Sequence, residues 1–245
     1  MRYRIPSRPR RSGAVAFEVK PLSRPKGSRD ADHEAKRRDL LAKMTLHMVR
    51  RDGARPSLRE LATAAEVSVP TLRHYFGDRA QTIDAVLAEC LRRGRPGLDA
   101  QRSSDKPFDQ SIADYAADLV LALTAPKTVR LGDVFAVSLA EGFLDPSMGP
   151  SALTHILDPT LEALQARLMK HVERGEMIDT ELRAAAMVLV SPLVLACLHQ
   201  HQLHGHVASP MVMSTLVPDV VAAFVRAYAM PVPGAASGPP SRLAA

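Results

Sequence analysis

The chain has 245 residues, 46% hydrophobic and 24% charged, with a formal net charge of +6. That balance is ordinary for one or two globular domains with a full apolar core, and it excludes collagen-like and low-complexity chains. Two cysteines, Cys90 and Cys197, without C-x-x-C or metal-ligand spacing, exclude a disulfide scaffold and point to a reduced, cytoplasmic setting. No apolar run reaches the roughly 18–20 residues a membrane helix needs. The longest, Met187 to Leu198, is interrupted by Ser191 and Pro192, so neither a span nor a membrane partner is expected. Arg10-Arg11 is followed by SGAVAFEVK, which has no apolar stretch of the length a secretion signal uses.

The positive charge is unevenly placed. Residues 1–30 carry a net charge of about +7, residues 31–97 about +4 and the remainder about −5, by count of Lys, Arg, Asp and Glu. Two readings of the 1–30 arm (PSRPRRSG, PLSRPKGSR) stand side by side: a disordered basic segment that neutralises phosphates or enters a minor groove, or a solvated tail. From Ala31 to Arg51 an apolar stripe of Leu40, Leu41, Met44, Leu46, Met48 and Val49 predicts a helix, its basic residues mostly on a solvated face.

The most informative stretch is SLRELATAAEVSVPTLRHYFGDRAQTIDAVLAEC, Ser57 to Cys90. Ser57 and Glu60 form an S-x-x-E capping box, so a helix starts there, with Leu58, Leu61, Ala62 and Ala65 on its apolar face. A turn follows around Ala65 to Val67. Ser68 then caps a second helix, Val69 to Tyr75, with Pro70 in the first turn, where a missing N–H costs nothing. Its Thr71, Arg73 and His74 can reach bases or phosphates, while Val69 and Leu72 pack inward or meet a thymine methyl. Gly77 ends it. Asp78, with Gln81 as a second capping box, opens another helix to about Arg93, carrying Ile83, Val86, Leu87 and Leu91 on one side. Two short helices at a turn followed by a longer one is the layout of a helix-turn-helix DNA-reading module.

VSVPTLRHYFGDRAQTIDAVL resembles the signature of TetR-type (TetR/AcrR) transcriptional regulators at Val67, Ser68, Thr71, Leu72, Tyr75, Phe76, Gly77 and Arg79, with Gly53 and Ser57 matching the turn before it. The resemblance implies DNA-binding roles for Ser57, Ser68, Val69, Pro70, Thr71, Arg73, His74, Tyr75 and Arg79. Arg73 departs from the pattern by standing where the family carries a phosphate-binding tyrosine, a role a guanidinium can fill. Arg79 matches the usual lysine and is expected at a phosphate.

GRPGLDAQRSSDKPFDQ, rich in turn formers, predicts the boundary to a second domain. Beyond it the pattern is helical throughout: Asp109 to Thr124, Val129 to Phe143, Leu153 to Arg174 with a bend at Pro159, Thr180 to His204, and Met211 to Ala229. Thr180 to His204 is apolar nearly all round, which calls for cover from a second subunit as well as from the bundle. The expectation is an all-α chain of about nine helices. A basic arm occupies 1–30, a three-helix helix-turn-helix DNA-binding domain 31–94, a helical ligand-binding and dimerisation bundle 95–230, and a disordered tail 231–245.

The resemblance further implies a homodimer through the last two long helices, about 180–204 and 211–229. It also implies a palindromic double-stranded operator, and a small-molecule effector in the C-terminal bundle that releases DNA, making the protein a ligand-responsive repressor. The pocket is expected between the 109–124, 129–143, 153–174 and 180–204 helices, and GRPG is the expected relay of its motion. No cofactor is expected. His199, His201, His204 and His206 are spaced wrongly for a metal on one helix face, only His201 and His204 coming close at i+3. No motif of catalytic spacing is present, so the protein is not expected to be an enzyme. Two alternatives remain: a dimeric interaction protein that keeps the module without reading DNA, and a helical enzyme resting on Asp114, Asp118 and Glu141.

Overall fold

The computed structural model describes residues 26–50 and 55–231, with side chains from residue 31 onward. The basic arm up to residue 25, Gly53 and the tail from residue 232 lie outside the described residues. The chain divides into two units, 1–36 and 37–245. The described part of the first is the beginning of helix α1, Lys26–Val49.

Nine helices of seven residues or more are present among the described residues: α1, α2 (Leu58–Ala64), α3 (Val69–Phe76), α4 (Arg79–Ala100), α5 (Phe108–Thr124), α6 (Leu131–Leu144), α8 (Asp158–Glu173), α9 (Leu182–Cys197) and α11 (Met213–Tyr228). Two single turns, α7 (Gly149–Ala152) and α10 (Gly205–Ala208), complete the set. The fold is all-α, and the described residues contain no strand, only one isolated bridge between Met177 and Ala229. Ile178 N–H donates to the Tyr228 carbonyl at 2.9 Å and Met230 N–H to that of Glu176 at 3.0 Å, tying the α8–α9 turn to the end of α11.

The apolar stripes fall inside as their spacing demands. Leu40, Leu41 and Met44 of α1, Leu61 of α2, Leu72 of α3 and Ile83 and Leu87 of α4 are fully buried together. In the bundle, α9 packs against α5, α8 and α11, and Ala185, Leu189 and Leu193 fill the space between them.

Three expectations are corrected. Helix α4 does not stop near Arg93 but runs on through Gly94, Pro96 and Gly97 to Ala100. The carbonyl that Pro96 leaves without a donor lies in an exposed stretch, where water can serve it, while Leu91 and Leu98 pack on either side. The expected Leu153 to Arg174 helix is a π turn at Leu153–Leu157 followed by α8, with α7 running into it from before. Pro159 falls in the first turn of α8, and the wider π turn before it takes up the irregularity that a mid-helix proline would impose. Finally, α9 and the π turn that follows make one helical run of 21 residues, Leu182–Gln202, long and apolar enough by length and composition to cross a membrane. Ser191 and Pro192 interrupt the apolar letters but not the helix, whose inner face is a wall of the bundle core.

Candidate nucleic-acid interface

The head of the molecule is assembled by its caps. Ser57 Oγ accepts the Glu60 N–H at 3.2 Å while the Glu60 carboxylate accepts the Ser57 N–H at 2.6 Å, which fixes the start of α2 and lowers the Glu60 pKa, first through that backbone hydrogen bond. The turn after α2 reverses at Glu66, whose φ of 59° is the left-handed conformation usually left to glycine. Glu66 is held there by Lys43 of α1 at 2.6 Å and by its N–H on the Thr63 carbonyl. Ser68 Oγ then accepts the Thr71 N–H at 3.2 Å and lies 2.8 Å from the Thr71 hydroxyl, opening α3. Gly77, at φ 85°, ends α3, and Asp78 and Gln81 close their own reciprocal box to open α4.

This orients α3. Leu72 and Phe76 are buried, and the Arg37 guanidinium lies over the Phe76 ring, 5.2 Å from its centroid. Val69 and Tyr75 are half-buried against the same core, and Thr71 is half-buried with its hydroxyl on Ser68. Ser68, Pro70, Arg73 and His74 are exposed, as is Ser57 at the start of α2. Eight of the nine residues singled out in the sequence therefore lie on α3, at its cap or at the cap of α2, and the outward edge of α3 is polar and basic.

Arg79 is the ninth, and it stands apart. Its Nε donates to the Pro56 carbonyl at 2.7 Å, and its two Nη atoms reach the Glu141 carboxylate of α6 at 3.0 and 2.6 Å. Arg55 joins the same carboxylate through Nε at 2.7 Å and reaches Asp145 through Nη2 at 2.9 Å. Neither Arg55 nor the Glu141 partnership is visible in the sequence, because the paired residues are 62 and 86 positions apart.

Behind the head lies a cavity of about 470 Å³ between α4, α5, α6, the Leu153–Leu157 turn and α8. Its walls are mainly apolar, with Leu119, Val134 and Ile156 among them, and Arg93, Asp118 and Lys127 also line it. The expected pocket named α9 as a wall; α4 takes that place, so Gly94 and Gly97, read as linker residues, line the cavity instead. Cys90 also lines it, and burial pushes its thiol up to about 11, away from nucleophilic reactivity at neutral pH.

The acids Asp114, Asp118 and Glu141 do not gather. Asp114 pairs with Lys106, Asp118 accepts from Gln101, and Glu141 belongs to the arginine pair. Ser111, His171 and Glu176 do line up, with His171 Nε2 2.8 Å from Ser111 Oγ and Nδ1 2.6 Å from Glu176. Ser111 and His171 are fully buried and Ser111 Oγ also receives Arg167, so the arrangement ties α5 to α8 and presents no reachable nucleophile. The four histidines disperse, His199 bonding to the Gln200 side chain and His206 to the Gln200 carbonyl. Among the described residues no group of three or more His, Cys, Asp or Glu could hold a metal.

No family model and no curated relative matches the sequence. Solved structures do match. A TetR transcriptional regulator from Agrobacterium tumefaciens superposes with a TM-score of 0.53 at 19% identity over 79% of this chain and 94% of that one. NemR of E. coli, in its reduced form, gives 0.61 at 18% identity over 80% and 100%. The fatty acid degradation regulator FadR from Bacillus halodurans gives 0.59 at 15% over 78% and 94%. The chain has the all-α fold of TetR-family transcriptional regulators.

Proposed function

We propose that the protein is a ligand-responsive transcriptional regulator that binds a palindromic double-stranded operator as a homodimer. The observation that carries this reading is the outward edge of α3, where Ser68, Pro70, Arg73 and His74 are exposed while Leu72 and Phe76 anchor the helix from behind. A helix held in that way by two capped neighbours, on a fold shared with known regulators, suits insertion into a major groove. Arg73 and Arg79 are the phosphate-directed residues of this reading, and Thr71 and His74 the base-directed ones.

Dimerisation is supported by the outer stripe of α9, where Met187, Val188 and Leu195 are exposed, and by the open groove between α5 and α11 beside it. A self-complementary apolar face of this kind is what a two-fold partner covers, and two heads then read half-sites about 34 Å or more apart. The cavity behind the head supports an effector that is mainly apolar. Its binding releases DNA, which makes the protein a repressor of the cytoplasm.

Selection of bound sequences from a random duplex pool tests the reading. An inverted repeat is expected to be enriched. Arg73→Ala should weaken binding to all sequences and lower the salt slope by about 1, whereas Thr71→Ala should relax preference at one position of each half-site. No enrichment, together with a protein that sediments as a monomer at micromolar concentration, would overturn it.

A further inference from the structure

The two arginines at the head's edge are held from below by α6. Arg79 is the first residue of α4 and Arg55 lies two residues before the cap of α2, so the local sequence would leave both side chains at the surface. Both instead converge on one carboxylate. Glu141 is 3% exposed, and its two oxygens take three guanidinium contacts between 2.6 and 3.0 Å. The fork of Arg79 is bidentate, the geometry in which a guanidinium binds carboxylate or phosphate equally well. Asp145 accepts the remaining reach of Arg55, so the cluster is two cations against two anions, electrically closed.

The arginines are not sealed in. Their side chains remain 23% and 31% exposed, while the carboxylate that holds them is at the bottom. A duplex laid on the head meets the solvent side of guanidiniums whose other side is already satisfied. To use either one fully, a phosphate has to take it from Glu141.

We propose that Glu141 is an internal competitor for DNA phosphate: it holds Arg55 and Arg79 in a latch that operator binding must open, so that the free head is kept short of two phosphate contacts. The inference rests on the DNA-binding reading above. Glu141 is a positioning residue here, acting through the two arginines. It lies on α6, about two turns from Val134 and about three from Leu131 in the cavity wall, so the helix that carries the competitor also borders the effector space.

The test is Glu141→Gln, which keeps the shape and removes the charge, measured by fluorescence anisotropy on a 30-bp duplex of unrelated sequence and on the selected operator. Tighter binding than wild type is expected at 50 mM salt, with a steeper salt dependence. The steeper dependence belongs to the unrelated duplex, on which the wild-type latch stays shut: each phosphate contact adds about 0.9 to the slope, so two freed arginines add about 1.8, and the advantage of the variant there shrinks about twelvefold between 50 and 200 mM, whereas on the operator the two slopes converge. The triple variant E141Q/R55A/R79A should lose the whole gain, which a merely structural role for Glu141 would not produce.

An unchanged or shallower slope on the unrelated duplex in a folded Glu141→Gln overturns the proposal. Should that variant fail to fold, the wild type answers by nitrogen NMR of its arginine side chains, assigned from Arg55→Lys and Arg79→Lys. The Arg55 and Arg79 Nε–H signals should move when operator duplex is added to saturation, and signals that stay in place overturn the latch. Failure of wild type and variant alike to bind any duplex at 50 mM sinks the regulator reading itself. Binding by wild type with an unaltered variant sinks the latch alone, and binding by the variant only supports both.

Discussion

Arg167 offers the sharpest measurement of what holds α4 to the bundle. It is 4% exposed and has no carboxylate in hydrogen-bond contact: Nε donates to the Gln101 carbonyl at 2.8 Å, Nη2 to the Gln101 side chain at 2.8 Å, and Nη1 to the Ser111 carbonyl and hydroxyl at 3.0 and 3.2 Å. The side chain also lies over the Tyr115 ring, 5.6 Å from its centroid, and burial lowers its pKa. Arg167→Met keeps most of the packed volume and deletes all four bonds. Not all of them are lost at full cost. Ser111 Oγ keeps His171, but Gln101 bonds Asp118 only through Nε2, so the Gln101 carbonyl at the end of α4 and its Oε1 are the groups left without a donor.

Hydrogen bonds to a charged group are each worth about 1.5–3 kcal/mol, against which stands the relief of a desolvated guanidinium, so a net loss of about 2–3 kcal/mol is expected. For a unit of this size that is a fall of about 4–12 °C in Tm. Urea denaturation at fixed protein concentration measures it, since an associating protein would otherwise shift with mass action. Arg167→Lys should be no better than Arg167→Met, because an ammonium cannot fork between the end of α4 and α5. A methionine variant within about 0.5 kcal/mol of wild type would refute the reasoning, by showing that the desolvation cost cancels all four bonds.

Three further outcomes are expected. Glu89, whose carboxylate accepts from Arg92 and Arg93, has its pKa lowered from the usual 4.5 to about 2, first by the Arg92 hydrogen bonds. A folded pKa below the unfolded one means that this stabilisation is complete above pH 4.5 and is lost as the pH falls toward 2. Because the two arginines are half-exposed, Glu89→Gln should cost only about 1–2 kcal/mol at pH 7 and flatten the acid limb of a Tm-against-pH curve; an unchanged limb counts against the pair. Gly77→Ala should cost about 2–4 kcal/mol in urea, since φ 85° strains any side chain and the new Cβ would lie 1.9 Å from the Gln81 oxygen that caps Asp78. A loss no larger than that of Gln81→Ala alone would leave the backbone conformation without a role. Both thiols sit at about 11 through burial, so a disulfide reagent at pH 8 should label neither Cys90 nor Cys197 until the protein unfolds. Labelling of either at the rate of a free thiol would contradict that placement.

What was legible in the sequence was local. The boxes at Ser57/Glu60 and Asp78/Gln81 and the cap at Ser68 span four residues each, and the chemistry that sets them is complete within that span. The helices of the bundle were legible for a related reason, since Leu161, Leu164 and Leu168 declare one face at helical spacing. Features decided by the far side of the fold were not legible. Glu66 adopts a glycine-like backbone with no glycine in the letters, held by Lys43 across the turn. GRPG reads as a linker, yet α4 persists because its ends are anchored, by Asp78 at one and by Arg167 through Gln101 at the other. Arg79 is expected at a phosphate from its place in the motif, and nothing near it in sequence reveals Glu141.

The π turn at Leu153–Leu157 deserves a last consequence. A π turn accommodates one residue more than the α-helix around it, so chain length and side-chain facing are uncoupled at that point. His155 and Ile156, which the turn turns toward the cavity, can therefore be exchanged, lengthened or trimmed by a residue while Leu161, Leu164 and Leu168 of α8 keep their seats against α9. Variation in the shape of the cavity has a place to accumulate there without re-indexing the bundle.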